Sequence, residues 1–242
     1  MSDPTHGTIL VTGSNRGIGL EMVRQLAPSA DAVIATCRRP DDADELARLA
    51  ETHRSIDIVE LDVADADSIA STRDYVADTY EHLTLLLNNA GVNGGGTSDT
   101  FDAVSFEGLM KTFRINAAGP HMVTKAFAPL LATGSGDGTR VIVNITSQLG
   151  SIANTKGRGT WHSYKASKAA LNMLSRLQAN EFRSEGVVVV AMHPGWVQTD
   201  MGGSNATLTP EAAVSGILDV TRNLSPNDAG RFLTHDGNEL PW

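Results

Sequence analysis

Cysteine is almost absent from the sequence, which has only Cys37 among its 242 residues. One thiol excludes an intrachain disulfide and a metal site built from cysteines. The seven histidines are scattered without a metal-binding spacing such as His-x-x-x-His, so no metal site is predicted. The lack of a disulfide framework is typical of the cytoplasm, which is the location we expect.

Positive charge and long apolar runs are also scarce. The 19 Lys and Arg residues face 28 Asp and Glu residues, which gives a formal net charge of −9. That balance argues against nucleic acid or an anionic membrane as a partner. The longest apolar run, residues 187–192, has the length of a strand, whereas a bilayer span needs roughly 20 residues. Residues 1–7 lack the pattern of a secretory signal, so we expect no membrane association.

What the sequence has instead is a repeated alternation of short apolar segments and amphipathic segments. Continuous apolar runs are typical of parallel strands that are buried on both faces. The pattern predicts a single α/β domain over residues 1–242, a doubly wound Rossmann-type sheet of seven parallel strands with helices on both faces. Strands are predicted at 8–12, 32–36, 56–61, 83–87, 140–145, 187–191 and 231–234. Helices are predicted at 18–26, 41–50, 65–80, 105–131 (bent near Gly119-Pro120), 161–184 and 210–224, and a turn at 133–138.

A glycine-rich turn, Thr12-Gly13-x-x-x-Gly17-x-Gly19, joins the first strand to the first helix. Glycines let the backbone approach a pyrophosphate, and a helix N-terminus supplies N–H donors and partial positive charge. The alternative is a plain glycine-rich turn with no ligand. We predict a dinucleotide-binding loop formed by Gly13, Ser14, Asn15, Arg16, Gly17, Ile18 and Gly19.

The end of the second strand indicates which dinucleotide is bound. An acid at this point would suit the ribose of NAD, whereas an arginine suits the 2′-phosphate of NADP. The chain has Arg38 and Arg39 here, no acid before Asp41, and a further cation, Arg16, in the glycine loop. These cations predict NADP(H), with Arg38 as a ligand. The alternative is that both strand-end arginines are solvated loop charges.

Tyr164 and Lys168 lie four residues apart on a predicted helix, which places them on one face. A neighbouring ammonium favours phenolate, so we expect the pKa of Tyr164 to lie below its ordinary value of about 10. The alternative is a surface pair on an amphipathic helix.

Together these segments resemble the short-chain dehydrogenase/reductase family. The matching residues are Thr12-Gly13-x-x-x-Gly17-x-Gly19, Asp62-Val63, Asn88-Asn89-Ala90-Gly91, Asn116, Ser147, Tyr164-x-x-x-Lys168 and Pro194-Gly195. Two further segments are similar to the C-factor and sniffer-like carbonyl reductase branch: Pro194-Gly195-Trp196-Val197-x-Thr199-Asp200-Met201-Gly202 and Phe232-Leu233-x-x-Asp236-Gly237-x-x-Leu240-Pro241-Trp242.

The resemblance implies a role for each matching residue. Tyr164 would be the acid or base, Lys168 would bind the nicotinamide ribose and lower the tyrosine pKa, and Ser147 would bind the substrate oxygen. Asn116 would hold a water that links Lys168 to solvent. The other implied cofactor ligands are Asp62, Val63, Asn89, Ala90, Gly91, Pro194, Gly195, Val197 and Thr199, while Asn88 and His193 would be structural.

The chain departs from many family members in the 17-residue step from Ser147 to Tyr164. We expect the extra residues in the loop 156–159, and Ser151 is a rival for the role of Ser147. Residues 201–205 are a candidate lid. Trp161 and His162 either line the pocket or pack at the helix start.

The predicted function is reduction of a small or medium aldehyde or ketone by NADPH. The alternatives are an NADP-binding signalling or redox-sensing module and an NAD-dependent alcohol dehydrogenase. The resemblance also implies a homodimer or homotetramer formed through residues 105–131 and 161–184. The substrate itself is not predictable, because variable loops at 93–99, 150–160 and 200–209 would form its pocket.

Overall fold

The computed structural model describes residues 3–132, 139–157 and 159–242. In this part of the chain seven strands form one sheet in the order β3-β2-β1-β4-β5-β6-β7, and every pairing is parallel. This arrangement confirms the predicted fold class. The strands are β1 Thr8–Thr12, β2 Ala32–Cys37, β3 Ile56–Glu60, β4 Leu85–Asn88, β5 Arg140–Ile145, β6 Val187–His193 and β7 Phe232–Thr234.

Seven α-helices of the described residues surround the sheet. They are α1 Gly17–Leu26, α2 Asp44–Thr52, α3 Ala66–Thr79, α4 Phe106–Phe113, α5 Gly119–Ala132, α6 His162–Glu181 and α7 Pro210–Arg222. None of them is long and apolar enough to cross a membrane.

The core consists of two apolar layers, one on each face of the sheet. Successive side chains of a strand point to opposite faces, so Ile9 and Val11 of β1 enter one layer and Leu10 enters the other. Helices α1, α2 and α7 cover the first layer, and α3, α5 and α6 contribute to the second. Burial on both faces explains why the inner strands are mostly apolar runs, whereas the edge strand β3 is only partly buried.

The predicted helix over 105–131 is interrupted. Helix α4 passes into a π turn, Arg114–Ala118, before α5 begins at Gly119. Pro120 has no N–H for the carbonyl four residues back, that of Asn116, so the regular ladder cannot continue there. A Cβ on residue 119 would lie 2.7 Å from the Val63 carbonyl oxygen. Glycine at this position therefore allows the turn to approach the segment that follows β3. The segment predicted as one helix is therefore two helices joined by a π turn, which lies directly before the predicted bend at Gly119-Pro120.

Other differences concern element ends. The helix predicted from residue 41 begins at Asp44, because Pro40–Asp42 form a separate 3₁₀ turn. Helix α6 ends at Glu181 and a short 3₁₀ segment leads to Gly186, whose φ of 73° is the left-handed conformation that glycine accepts. The predicted cap Asp65 accepts a hydrogen bond from the Asp67 N–H at 3.0 Å. The turn predicted at 133–138 lies outside the described residues.

Candidate active site

A cleft of about 760 Å³ opens at the carboxyl ends of the strands. This edge is where an open parallel sheet binds ligands, and the volume suits a small molecule or cofactor. Fifteen of the predicted site residues line it: Gly13, Asn15, Arg16, Gly17, Ile18, Arg38, Asp62, Val63, Asn89, Ala90, Gly91, Tyr164, Lys168, Pro194 and Thr199.

The glycine loop forms a cradle that has no room for side chains. Gly13 has φ of 70°, and a Cβ there would lie 2.9 Å from the Cα of Ala90. A Cβ on Gly19 would lie 2.1 Å from the Gly13 carbonyl oxygen, so α1 packs directly on the loop. The side chain of Arg16, the residue before α1, caps none of the first amides of the helix. The cradle therefore fits a phosphate group at a helix N-terminus.

Four predicted ligands support this edge of the sheet without lining the cleft. The Ser14 hydroxyl donates to the Val11 carbonyl oxygen at 2.8 Å, and Gly19 contacts the Gly13 carbonyl. Gly195 has φ of 85° in the turn after β6, and Val197 is buried. These four residues therefore support the site from behind and do not form its surface.

A hydrogen-bonded junction joins the ends of β1 and β4. The Thr12 hydroxyl oxygen accepts from the N–H groups of Asn89 and Ala90, each at 3.0 Å. The Asn89 amide donates to the carbonyl oxygens of Thr12 and Gly13 at 2.9 and 3.1 Å. These contacts hold the glycine loop against the strand-end segment 89–91. Asn88 is structural, as expected, because its amide donates to Asn144 and Thr124.

The arginines after β1 and β2 differ in their contacts. Arg39 pairs with Asp42 at 3.2 Å, and Arg16 pairs with Asp200 at 3.0 Å across the cleft. Arg38 lines the cleft together with Arg48 of α2. Sequence reasoning missed Arg48, because nothing in the sequence indicates which side of α2 faces the second strand.

The side chains of Tyr164 and Ser147 are neighbours, and Tyr164 lines the cleft. The Ser147 side chain is close enough to the Tyr164 hydroxyl to act on its pKa, and both residues are buried. The Lys168 ammonium lies 5.8 Å from the centre of the Tyr164 ring and donates to the Ile145 carbonyl oxygen at 2.7 Å. Tyr164 and Lys168 are one turn apart on α6, and Ser147 follows β5. The three side chains therefore lie close together.

The predicted direction of the Tyr164 pKa shift is wrong. Burial raises the pKa of Tyr164, and the hydrogen bond from Ser147 opposes that rise. Burial also lowers the pKa of Lys168 to about 8. Sequence spacing gives the proximity of the two groups but not their removal from water, which penalises the charged form of each.

Asn116 lies in the π turn and is fully buried. Its side-chain oxygen accepts from the Val92 N–H at 2.8 Å, and its amide donates to the Val92 carbonyl oxygen at 2.8 Å and to the Ser167 hydroxyl at 3.1 Å. A Cβ on Gly91 would lie 3.2 Å from the Asn116 oxygen and 3.8 Å from the Lys168 nitrogen. The Asn116 oxygen and the Lys168 nitrogen therefore lie close to the same point beside Gly91.

Ser151 does not compete with Ser147 for the site. Its hydroxyl donates to the Pro241 carbonyl oxygen at 2.6 Å, which ties the loop after β5 to the C-terminal segment. The segment between Ser147 and Tyr164 begins with a 3₁₀ turn, Gln148–Gly150, followed by a polar loop. Arg158 of the predicted pocket loop lies outside the described residues.

Trp161 fixes the start of α6 beside the tyrosine. Its φ of 67° makes it the one residue other than glycine with positive φ in the described chain, and such strain is frequent at functional sites. The indole packs edge-on against the Tyr164 ring, with centroids 5.6 Å apart. Buried Asp99 accepts from the Ser163 N–H at 2.6 Å and so caps the helix from another loop. His162 contacts Phe101, with ring centroids 6.2 Å apart.

Comparison with known proteins supplies the family. A family model described as short chain dehydrogenase matches residues 7–208. The chain belongs to this family. The dehydrogenase is 45% identical to the C-signal protein of Myxococcus xanthus over 161 residues, which cover 66% of this chain and 93% of that protein.

Solved structures extend the comparison over nearly the whole dehydrogenase. The NADPH-bound carbonyl reductase from chicken fatty liver is 38% identical, with a TM-score of 0.91 and coverage of 97% of this chain and 98% of that one. Carbonyl reductase Sniffer of D. melanogaster is 33% identical, with a TM-score of 0.88 and coverage of 98% and 99%. These similarities confirm the predicted resemblance to the family and to its C-factor and sniffer-like branch.

Proposed function

We propose that this short-chain dehydrogenase reduces a small or medium aldehyde or ketone to an alcohol with NADPH. One observation carries the proposal: Tyr164 and Lys168 line the same cleft as the glycine cradle, with Ser147 beside the Tyr164 hydroxyl. A proton donor and a cofactor cradle thus share one cavity. The similarity to an NADPH-bound carbonyl reductase supports both parts.

The chain would provide the proton and the charge stabilisation of the reaction. NADPH, when bound, supplies the hydride. As negative charge develops on the substrate oxygen, the Tyr164 hydroxyl donates its proton there and the Ser147 hydroxyl donates a hydrogen bond. The raised pKa of Tyr164 keeps the phenol protonated at neutral pH, which is the form that reduction requires.

Lys168 and Asn116 would serve the return of the proton. The pKa of Lys168 near 8 lets its amine gain or lose a proton close to neutral pH. Asn116 fixes segment 91–92 through Val92, and its side-chain oxygen and the lysine nitrogen both lie close to the Cβ position of Gly91. Asn116 would hold the water of this relay, and Lys168 would also bind the ribose of the cofactor.

The preference for NADPH would depend on Arg16 and Arg38, with support from Arg48. All three line the cleft, where a guanidinium can bind a 2′-phosphate in bidentate fashion. The other cofactor roles named from the sequence, including those of Asp62, Pro194 and Thr199, are part of this proposal.

The direct experiment compares NADPH and NADH with a panel of aliphatic and aromatic aldehydes and ketones, followed by loss of cofactor absorbance. We expect turnover with NADPH and at least tenfold lower kcat/KM with NADH. Equal or better use of NADH would favour the alternative, an NAD-dependent alcohol dehydrogenase. Tight NADPH binding without turnover of any carbonyl would favour an NADP-binding signalling or redox-sensing module, a candidate that the similarity to C-signal supports.

The assembly and location of the protein complete the proposal. We propose that residues 1–242 form one domain and that the domain forms a homodimer or homotetramer through the helical segments 105–131 and 161–184. Exposed apolar side chains on both segments support this: Phe106, Met110, Met173 and Leu177. A cytoplasmic location is proposed from the single free thiol, Cys37.

A further inference from the structure

The cofactor cleft has an ion pair across its opening. The Arg16 guanidinium, at the tip of the glycine loop, lies 3.0 Å from the Asp200 carboxylate. Asp200 belongs to the segment that follows β6, so the pair joins two opposite sides of the cleft, and both residues line it. The side chains are exposed, 72% for Arg16 and 80% for Asp200, so packing does not force them together.

Hydrogen bonds hold the segment that carries Asp200 in a defined conformation. Val197 forms a bridge with Leu208, and Gln198 N–H donates to the Leu208 carbonyl oxygen at 2.8 Å. The Trp196 indole donates to the Gly202 carbonyl oxygen at 2.8 Å, and the Gly202 N–H donates to the Thr199 hydroxyl at 3.1 Å. These bonds hold the turn at 199–203 in place.

This segment also touches the glycine loop. A Cβ on Gly17 would lie 3.3 Å from the Thr199 methyl group, so the residue before Asp200 abuts the phosphate cradle. Asp200 therefore directs a carboxylate to Arg16, the residue that the proposed function assigns to the cofactor. The predicted lid at 201–205 follows directly and shares the hydrogen bonds of the turn.

The charge balance of the cleft makes this pair consequential. Among the described residues that line the cleft, seven carboxylates stand against five cations. A phosphorylated dinucleotide brings several negative charges, so each free guanidinium contributes to affinity and each nearby carboxylate weakens it. A guanidinium already paired with Asp200 must be shared or released before it can bind a phosphate.

We propose that Asp200 is a determinant of cofactor affinity, because its carboxylate competes with the phosphates of NADP(H) for Arg16. This inference rests on the proposed use of NADPH. The competition would weaken binding and speed dissociation, since the aspartate can take over Arg16 as the phosphate leaves. Asp200 acts through Arg16 and is therefore a positioning residue rather than a catalytic one.

The test measures the NADPH dissociation constant by cofactor fluorescence and the dissociation rate by stopped flow. The variants are Asp200→Asn, Arg16→Met and the double variant. Asp219→Asn is the matched control, because Asp219 is also exposed and paired with an arginine, Arg222 at 2.8 Å, but lies outside the cleft. Asp219→Asn removes one negative charge, as Asp200→Asn does, but leaves the contacts of Arg16 unchanged.

We expect Asp200→Asn to lower the Kd and the dissociation rate for NADPH three- to tenfold. Arg16→Met raises the Kd at least tenfold, and in that background Asp200→Asn changes the Kd less than twofold. The inference is overturned if Asp200→Asn shifts Kd no more than Asp219→Asn, weakens binding, or tightens binding equally without Arg16. Failure of the wild-type protein to bind NADPH at all would instead overturn the proposed function.

Discussion

At the scale of single residues, the chemistry depends on how much water the structure removes from Tyr164 and Lys168. The sequence predicts that the two side chains are neighbours, and their positions agree. It does not predict the direction in which the pKa of Tyr164 shifts, because burial depends on the loops and strands that cover the start of α6. The same limit applies to Ser167, whose hydroxyl accepts from Asn116 and donates to the Tyr164 carbonyl oxygen at 2.7 Å. Its contacts exist only after folding.

Burial of Lys168 has a measurable consequence for stability. Its pKa is lowered from 10.5 to about 8 in the folded protein, so the unfolded chain binds more protons than the folded one between these values. Stability contributed by this group therefore rises with pH across that window, and below pH 8 the buried charge destabilises the fold. We expect a difference of about 3 kcal/mol between the two ends of the window.

The check compares Lys168→Met with the wild-type protein in urea unfolding between pH 7 and 9.5, without cofactor. The variant should be more stable at pH 7, and its advantage should shrink as pH rises. The wild-type protein is the reference at each pH, so the contributions of groups that titrate alike in both proteins cancel. A pH-independent difference between the two proteins would contradict the assigned pKa shift.

At the scale of elements, the strands and most helices follow from periodicity and end signals in the sequence. The strand ends, the glycine loop and the cap at Asp65 are local features, and local patterns predict them. The π turn that carries Asn116 and the left-handed Trp161 are not predictable in this way, because contacts with distant segments stabilise them. Asp99 is an example: it caps α6 from a loop 64 residues away.

Asp99 should couple the stability of α6 to catalysis. Asp99→Ala leaves the Ser163 N–H without its acceptor, which we expect to cost about 1–3 kcal/mol. It should also lower kcat roughly tenfold, because a small displacement of Tyr164 in the first turn impairs proton transfer. Asp99→Asn keeps an acceptor oxygen and should therefore retain most of the wild-type stability and most of the wild-type kcat.

The matched control is Asp65→Ala, which removes the cap of α3 away from the tyrosine. It should cost about 1 kcal/mol of stability and leave kcat unchanged. Thermal unfolding and steady-state kinetics of the variants provide both readouts. Equal kcat in Asp99→Ala and Asp65→Ala would show that the cap from Asp99 does not position Tyr164.

At the scale of the whole molecule, the order of the strands brings distant motifs to one edge. The ends of β1, β2, β3, β4, β5 and β6 meet there, which is why residues from Gly13 after β1 to Pro194 after β6 line one cleft. The sequence predicts this edge because parallel strands place their carboxyl ends together. It predicts neither the Arg16–Asp200 pair nor Arg48, which depend on how exposed side chains turn.

The proposed oligomer is a property of the same scale. Met173 is 62% exposed on α6, near other exposed apolar side chains of the helical segments. A charge there should oppose burial in an interface, so Met173→Glu should shift a dimer or tetramer toward the mass of one chain, 25.6 kDa. Light scattering after size-exclusion chromatography measures this. Met173→Leu is the control and should keep the wild-type mass; a wild-type monomer would refute the proposed assembly.

The central claim is that Tyr164 delivers the proton in NADPH-dependent carbonyl reduction. Its most direct test is the single-turnover rate of Tyr164→Phe with NADPH and a carbonyl that the wild-type protein reduces, together with the Kd for NADPH. Removal of the general acid should lower the rate at least 10²- to 10⁴-fold while the Kd changes less than threefold. A variant that keeps a rate within tenfold of the wild-type protein would contradict the account.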